Sequence, residues 1–215
     1  MSLFEIIKST IEYKNIGWNV ITLSFLATIP LTMFQIRAAI KQNRIIWKSK
    51  SSESWTLTLF AYLCFYFLSF IFYGLNLGSI AFFLSGLPGF FYIPIMIGVW
   101  KYKKRSSMDC LASVSLSLII PLMAFSNSKG LFMLIMFGVG AMAMITQAYK
   151  MIRNDNYKDV EPEFLISFLV SSVFWLIYSI STTAWAIVIS SSLSLLFLSV
   201  MLVLYFRWHK KRLTP

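Results

Sequence analysis

Charge is what this chain has least of. Only 13% of its 215 residues are Asp, Glu, Lys or Arg, against 58% hydrophobic, and its mean hydropathy is +0.74. A water-soluble domain needs more polar surface than that, so the composition implies an integral membrane protein with the lipid bilayer as its first partner. The one histidine, His209, lies near the C-terminus, and the two cysteines, Cys64 and Cys110, are far apart. They offer neither metal-ligand spacing nor a disulfide framework and say nothing of redox compartment, so no cofactor or metal is expected. No Asp, Glu or His falls in the middle of an apolar run, which removes the usual carriers of proton coupling in a membrane. No clustered Cys, His and acid suggests a hydrolytic site, and an enzyme is not expected. The last apolar run has no lysine for a retinal Schiff base.

The net charge of +11 does not point to nucleic acid, because the bases sit in short runs between apolar stretches rather than on one face of a folded domain. Residues 1–15 mix acids with bases and lack a compact apolar core followed by small residues, unlike a cleaved signal peptide.

What is present is a series of apolar runs long enough to cross a bilayer, for which about 20 residues are needed. The sequence predicts seven spanning helices: Ile16–Ile40 with Pro30 inside it, Trp55–Tyr73, Ser79–Trp100, Asp109–Phe125, Leu131–Met151, Glu163–Thr183 and Trp185–Phe206. The third contains Gly86, Pro88, Gly89, Pro94 and Gly98, a density of breakers that implies a bent, hinged path. Bases gather after the first span (Lys41, Arg44, Lys48, Lys50), the third (Lys101, Lys103, Lys104, Arg105), the fifth (Lys150, Arg153, Lys158) and the seventh (Arg207, Lys210, Lys211, Arg212). Cytoplasmic loops retain Lys and Arg, so the N-terminus is expected outside or in the lumen and the C-terminus in the cytoplasm.

An offset of 105 residues sets Gln42 over Gln147, Tyr73 over Tyr178, Ser85 over Ser190 and Trp100 over Tyr205. Spans one to three then correspond to spans five to seven, and the fourth stands alone as a connector. The expected fold is all-α, with two parallel three-helix repeats joined by a linker helix (3+1+3): residues 1–105, 106–130 and 131–215. An odd number of helices per copy requires the connector if both are to face the same way.

The second copy runs from Gln147 through a short basic loop to Val160-Glu-Pro162, then Ser172-Val-Phe-Trp175-Leu-Ile-Tyr178 and Thr183-Ala-Trp185. The first offers Gln42, Lys50-Ser51, Ser54 and Phe70-Ile-Phe-Tyr73-Gly74. This order resembles the PQ-loop superfamily and, within it, the SWEET and SemiSWEET sugar transporters, over roughly residues 40–104 and 146–207. The chain departs from the pattern where Lys41 and Thr146 stand in place of the proline before each glutamine. Serines at Ser85 and Ser190-Ser191 stand where sugar-transporting members carry a substrate-binding asparagine. A register through Gln35 instead of Gln42 would lengthen the loop and spoil the repeat.

The resemblance implies a facilitative transporter for a small polar, sugar-like solute, working by alternating access without proton coupling. It implies substrate contacts at Phe70, Ser85, Trp175, Ser190 and Ser191, and gating or hinge roles for Pro30, Gln42, Pro88, Pro94 and Gln147. Each residue also has a plainer reading. Phe70 and Trp175 could pack between helices, the serines could bond their own helix, and the glutamines could sit at an interface. The aromatic residues Tyr73, Trp100, Trp185, Tyr205 and Trp208 read as interfacial anchors. Two relatives of similar fold supply alternatives. A sorting or retrieval receptor would need cavity charges to hold a peptide carboxylate, and a nicotinamide-riboside-type vitamin transporter would use aromatic stacking. One chain holds both copies, so a homo-oligomer is open but not required.

Overall fold

The computed structural model describes residues 7–102, 107–126, 128–154, 160–181 and 185–213, which contain helices and no strand. A short helix α1 (Ile11–Lys14) precedes α2 (Val20–Ser49), α3 (Leu57–Leu77), α4 (Ile80–Gly86) and α5 (Pro88–Tyr102). Then come α6 (Ser107–Phe125), α7 (Lys129–Asn154), α8 (Pro162–Ser181) and α9 (Trp185–Leu213). Among the described residues, six candidate spans are long and apolar enough to cross a membrane: α2, α3, the α4–α5 pair, α7, α8 and α9. The apolar part of α6, Asp109–Phe125, is shorter. It reaches about 26 Å where the hydrocarbon is about 30 Å thick.

Most boundaries shift by a few residues from those read in the sequence, and three of the differences bear on the packing. Helix α2 continues to Ser49, because Ala39, Gln42 and Ile46 prolong one buried face at helical spacing. It stops at Lys50, whose φ of 51° is left-handed. The third predicted span is two helices, with Pro88 as the first residue of α5, where the missing N–H of proline is not needed. The last helix, expected to end at Phe206, continues through the basic run that begins at Arg207 as far as Leu213.

Helix α5 packs against both α2 and α3, and α9 packs against both α7 and α8. The two groups meet along two seams, α2 against α8 and α3 against α7, while α6 leans on α3. Close approach of α4 to α3 needs Gly86. A Cβ there would lie 2.4 Å from Ile71 Cγ1 and 2.8 Å from the Phe67 carbonyl oxygen.

The outer faces of the bundle are apolar, and a set of polar side chains is held inside among a larger number of buried apolar ones. Leu23, Leu26, Ile29 and Met33 of α2 and Leu111, Val114, Leu118 and Leu122 of α6 are exposed. Ser24, Thr28, Thr32 and Gln35 of α2 and Ser167 and Ser171 of α8 are buried. Hydrocarbon accepts the first set and penalises the second. The chain is an integral, multi-pass membrane protein.

Bases and landmark contacts converge at one end, where Lys41 pairs with Glu163, Lys150 donates to the Trp55 carbonyl and Lys101 lies over the Trp47 ring. At the other end α1 is held by Glu12, which is only 2% exposed. Its carboxylate accepts from the Ser79 hydroxyl and from the backbone N–H groups of Ile80 (3.0 Å) and Ala81 (3.1 Å). These are the donors that the first turn of α4 cannot satisfy within the helix, and a carboxylate also suits the positive end of a helix dipole. Glu12→Ala should therefore lower stability by about 1–3 kcal/mol, with Glu12→Gln between it and the parent. Thermal unfolding in detergent checks the order.

Candidate functional site

Where α2, α3, α8 and α9 face one another, two adjoining cavities lie on the bundle axis. The outer runs along the α2–α8 seam past Ser24, Thr28, Thr32, Gln35, Ser85 and Tyr178. The inner is bounded by Tyr66, Phe70, Ser172, Ser190, Ser191 and Ser194, among others. Gln35, Ser171 and Trp175 belong to both. The inner cavity leaves about 40 Å³ for water centres and the outer about 10 Å³, room for a few waters and too little for a sugar.

Among the described residues, no charged one lines either cavity. Hydroxyls dominate the polar wall, and some are already engaged. Thr28 donates to the Phe25 carbonyl at 2.7 Å, Ser172 to the Phe168 carbonyl at 2.8 Å, and Ser190 pairs with the Tyr66 hydroxyl. The opposite wall is aromatic. Trp175 lies nearly parallel to Phe70, with centroids 5.9 Å apart and planes 8° apart. It also stacks on Phe82 at 5.1 Å. A flat ligand needs roughly 7 Å between two rings, twice the ordinary contact distance, so nothing intercalates between Trp175 and Phe70 as they stand. An apolar face beside hydroxyls is what a sugar ring uses when its C–H groups stack and its O–H groups bond.

At the basic end two glutamines close the bundle reciprocally. Gln42 of α2 accepts from the Glu161 N–H at 3.0 Å, just ahead of α8. Gln147 of α7 accepts from the Thr56 N–H at 2.9 Å, just ahead of α3, and donates to the Ser54 carbonyl at 2.7 Å. Both glutamines are 0% exposed. Glu161 lies 105 residues after Thr56, the same offset that separates the two glutamines. Each amide thus fastens the first helix of its own group to the second helix of the other. The Lys41–Glu163 pair, with Arg37 at 3.8 Å, adds a charged contact beside Gln42.

Phe70, Ser85, Trp175, Ser190 and Ser191 all line the cavities. Gln42 and Gln147 lie at the closed basic end. The prolines do not converge. Pro30 is exposed on α2 and Pro88 is buried where α5 begins, while the Pro94 carbonyl accepts from Trp47 Nε1 at 3.2 Å, tying α5 to α2. Sequence reasoning passed over Gln35 as a wall residue, together with Thr32 and Ser171. The signal was available: Ser24, Thr28, Thr32, Gln35 and Gln42 recur every three or four residues along α2 or skip one such step, a polar stripe with helical period.

No family model matches the chain, and no curated protein sequence does. Among solved structures it is similar to a eukaryotic SWEET transporter, at 15% identity over 87% of this chain and 99% of that one, with a TM-score of 0.53. At that identity the likeness is one of fold, and the chain has a SWEET-like all-α membrane fold.

Proposed function

We propose that the protein is a facilitative transporter that moves a small, uncharged, polar solute by alternating access. The observation that carries this reading is a small cavity of hydroxyls and stacked aromatics, without charge among its described lining residues, between two helix groups that a matched pair of glutamines ties together at one end. The two groups act as parallel repeats, residues 1–105 and 131–215, with 106–130 as the linker that makes a seventh crossing. The 105-residue offset, the like packing of α5 and α9 within their groups and the reciprocal glutamines support that division. The concentration of bases at the glutamine end supports a cytoplasmic location for it, with the N-terminus outside or in the lumen.

In this scheme Phe70, Trp175, Ser85, Ser190 and Ser191 contact the solute, Gln42 and Gln147 form the cytoplasmic gate, and Pro30, Pro88 and Pro94 permit the helices to bend. Without an acid or histidine in the cavity wall, no proton need accompany the solute. A receptor for a peptide carboxylate would require a cation in the wall, and the lining residues include none. One chain suffices for the pathway.

Liposomes carrying the full-length protein should take up at least one solute from a panel of sugars, neutral amino acids and vitamins faster than empty vesicles do. Trp175→Ala should slow that uptake about tenfold through loss of stacking. Uptake at the empty-vesicle rate across the whole panel would remove the transport reading.

Either Gln42→Leu or Gln147→Leu leaves a buried N–H unpaired, at a cost of about 1–3 kcal/mol to the closed basic end. Both variants should then speed modification of a cysteine introduced at Ser194 by a hydrophilic thiol reagent applied from that side. Unchanged labelling would mean that the glutamines do not hold the gate.

A further inference from the structure

The two seams between the helix groups are not alike, and the difference falls on chemistry. With the 105-residue offset, Ser24, Thr28, Thr32 and Gln35 of α2 correspond to Lys129, Met133, Phe137 and Gly140 of α7. Across the seams, Ser167 and Ser171 of α8 correspond to Tyr62 and Tyr66 of α3. One seam is therefore small and polar on both faces, and the other is aromatic and sulfur-rich.

In the α3–α7 seam the Tyr62 ring fills the place that Gly140 leaves open. A Cβ on Gly140 would come within 2.3 Å of the Tyr62 hydroxyl and Cζ, so no side chain fits there beside the ring. A void of about 10 Å³ remains next to it, walled by Tyr62, Phe137 and Met144 with two α9 serines behind. Tyr62 stacks on Tyr66 at 5.1 Å, and Tyr66 meets Phe137 at 5.8 Å, so packed rings fill this seam where it borders the inner cavity, which both tyrosines also line.

In the α2–α8 seam the position equivalent to Gly140 is Gln35, 4% exposed and a wall residue of both cavities. Among the described residues its amide has no hydrogen-bond partner, and it is not sealed away from the cavity space. Ser24, Thr32, Ser85 and Ser171, which share the outer cavity with it, also have no partner outside that space. A buried amide with a donor and an acceptor both unused is costly in an apolar surround unless water or a ligand occupies it. The neighbouring hydroxyls present the same demand along one line.

We propose that the α2–α8 seam is the hydrated, ligand-bearing side of the central cavity, with the Gln35 amide as its specificity contact for an uncharged polyhydroxy solute, while the α3–α7 seam is a sealed joint. The assignment of Gln35 rests on the transport reading; the inequality of the seams does not. An amide carbonyl and NH2 together match an adjacent pair of hydroxyls, one donating and one accepting. With no counter-charge in the wall, a carboxylate or ammonium group on the solute would be desolvated without compensation.

Two arms test it in reconstituted full-length protein with Cys64 and Cys110 replaced. In the first, Thr32→Cys and Ser171→Cys are compared with Met133→Cys and Phe137→Cys, neither of which lines the central cavities, for reaction with a small hydrophilic methanethiosulfonate. The proposal expects at least about tenfold faster modification at the first pair, as a thiolate exposed to water requires. Equal rates or the reverse order overturn it, whatever the protein transports. In the second, uptake of D-glucose and D-ribose is measured beside D-glucuronate and D-glucosamine. Gln35→Leu should raise the half-saturation concentration for the neutral sugar about tenfold with an unchanged melting temperature, Gln35→Asn less so, and the charged analogues should be excluded by the parent. An unchanged half-saturation in Gln35→Leu overturns the assignment of Gln35 while leaving transport intact. If the parent moves neither neutral sugar, the assignment falls, and the labelling arm alone decides which seam is wet.

Discussion

Hydrocarbon will not hydrogen-bond, and everything distinctive in this structure follows from that constraint. Helices are the form in which the chain can cross, since each satisfies its own backbone. Side chains that still need partners must turn toward one another. Leu, Ile, Val and Met therefore cover the outside of α2, α6, α7 and α9, and the serines, threonines and glutamines of α2 and α8 face inward. The site is a consequence of this inversion, because the axis of the bundle is where unspent hydrogen-bonding capacity collects.

The ends of the bundle are managed by a different device at each side. Helix termini expose backbone N–H groups that intrahelical bonds cannot reach. Glu12 covers those of α4 at one end. At the other, Gln42 and Gln147 reach across to the N–H groups just ahead of α8 and α3. Because each glutamine belongs to one helix group and its partner to the other, satisfying the backbone and joining the groups are the same act. A conformational change that parts the groups at this end must expose both N–H groups together, which couples the two contacts.

Equivalence between the groups is strongest at these clasps and weakest in the seams. The same offset that matches Gln42 with Gln147 pairs Gln35 with Gly140 and Ser167 with Tyr62. Volume is conserved across the exchange: where one helix gives up its side chain at Gly140, the ring of Tyr62 on the facing helix takes the space. A single-chain arrangement permits such divergence, since the two seams need not be identical as they are in a symmetric dimer.

Sequence alone determined the solvent and the apolar segments, because hydropathy is a property of a chain read in one dimension, and it offered the 105-residue register on which the proposed repeat rests. Phe70 and Trp175 are singled out through the family resemblance, three residues before the tyrosines that the 105-residue register matches. Tertiary structure decided which residues face which. Nothing in the order of residues says that α2 lies against α8 rather than α7, so the amide of Gln35 could not be told from an interfacial polar group. Nor could the acceptors on Gln42 and Gln147 be matched with N–H groups 119 and 91 residues away. The extent of α2 was also beyond a hydropathy reading, because bases at Lys41 and Arg44 mark the edge of the membrane, while the helix continues for as long as Ile46 has a partner to bury against.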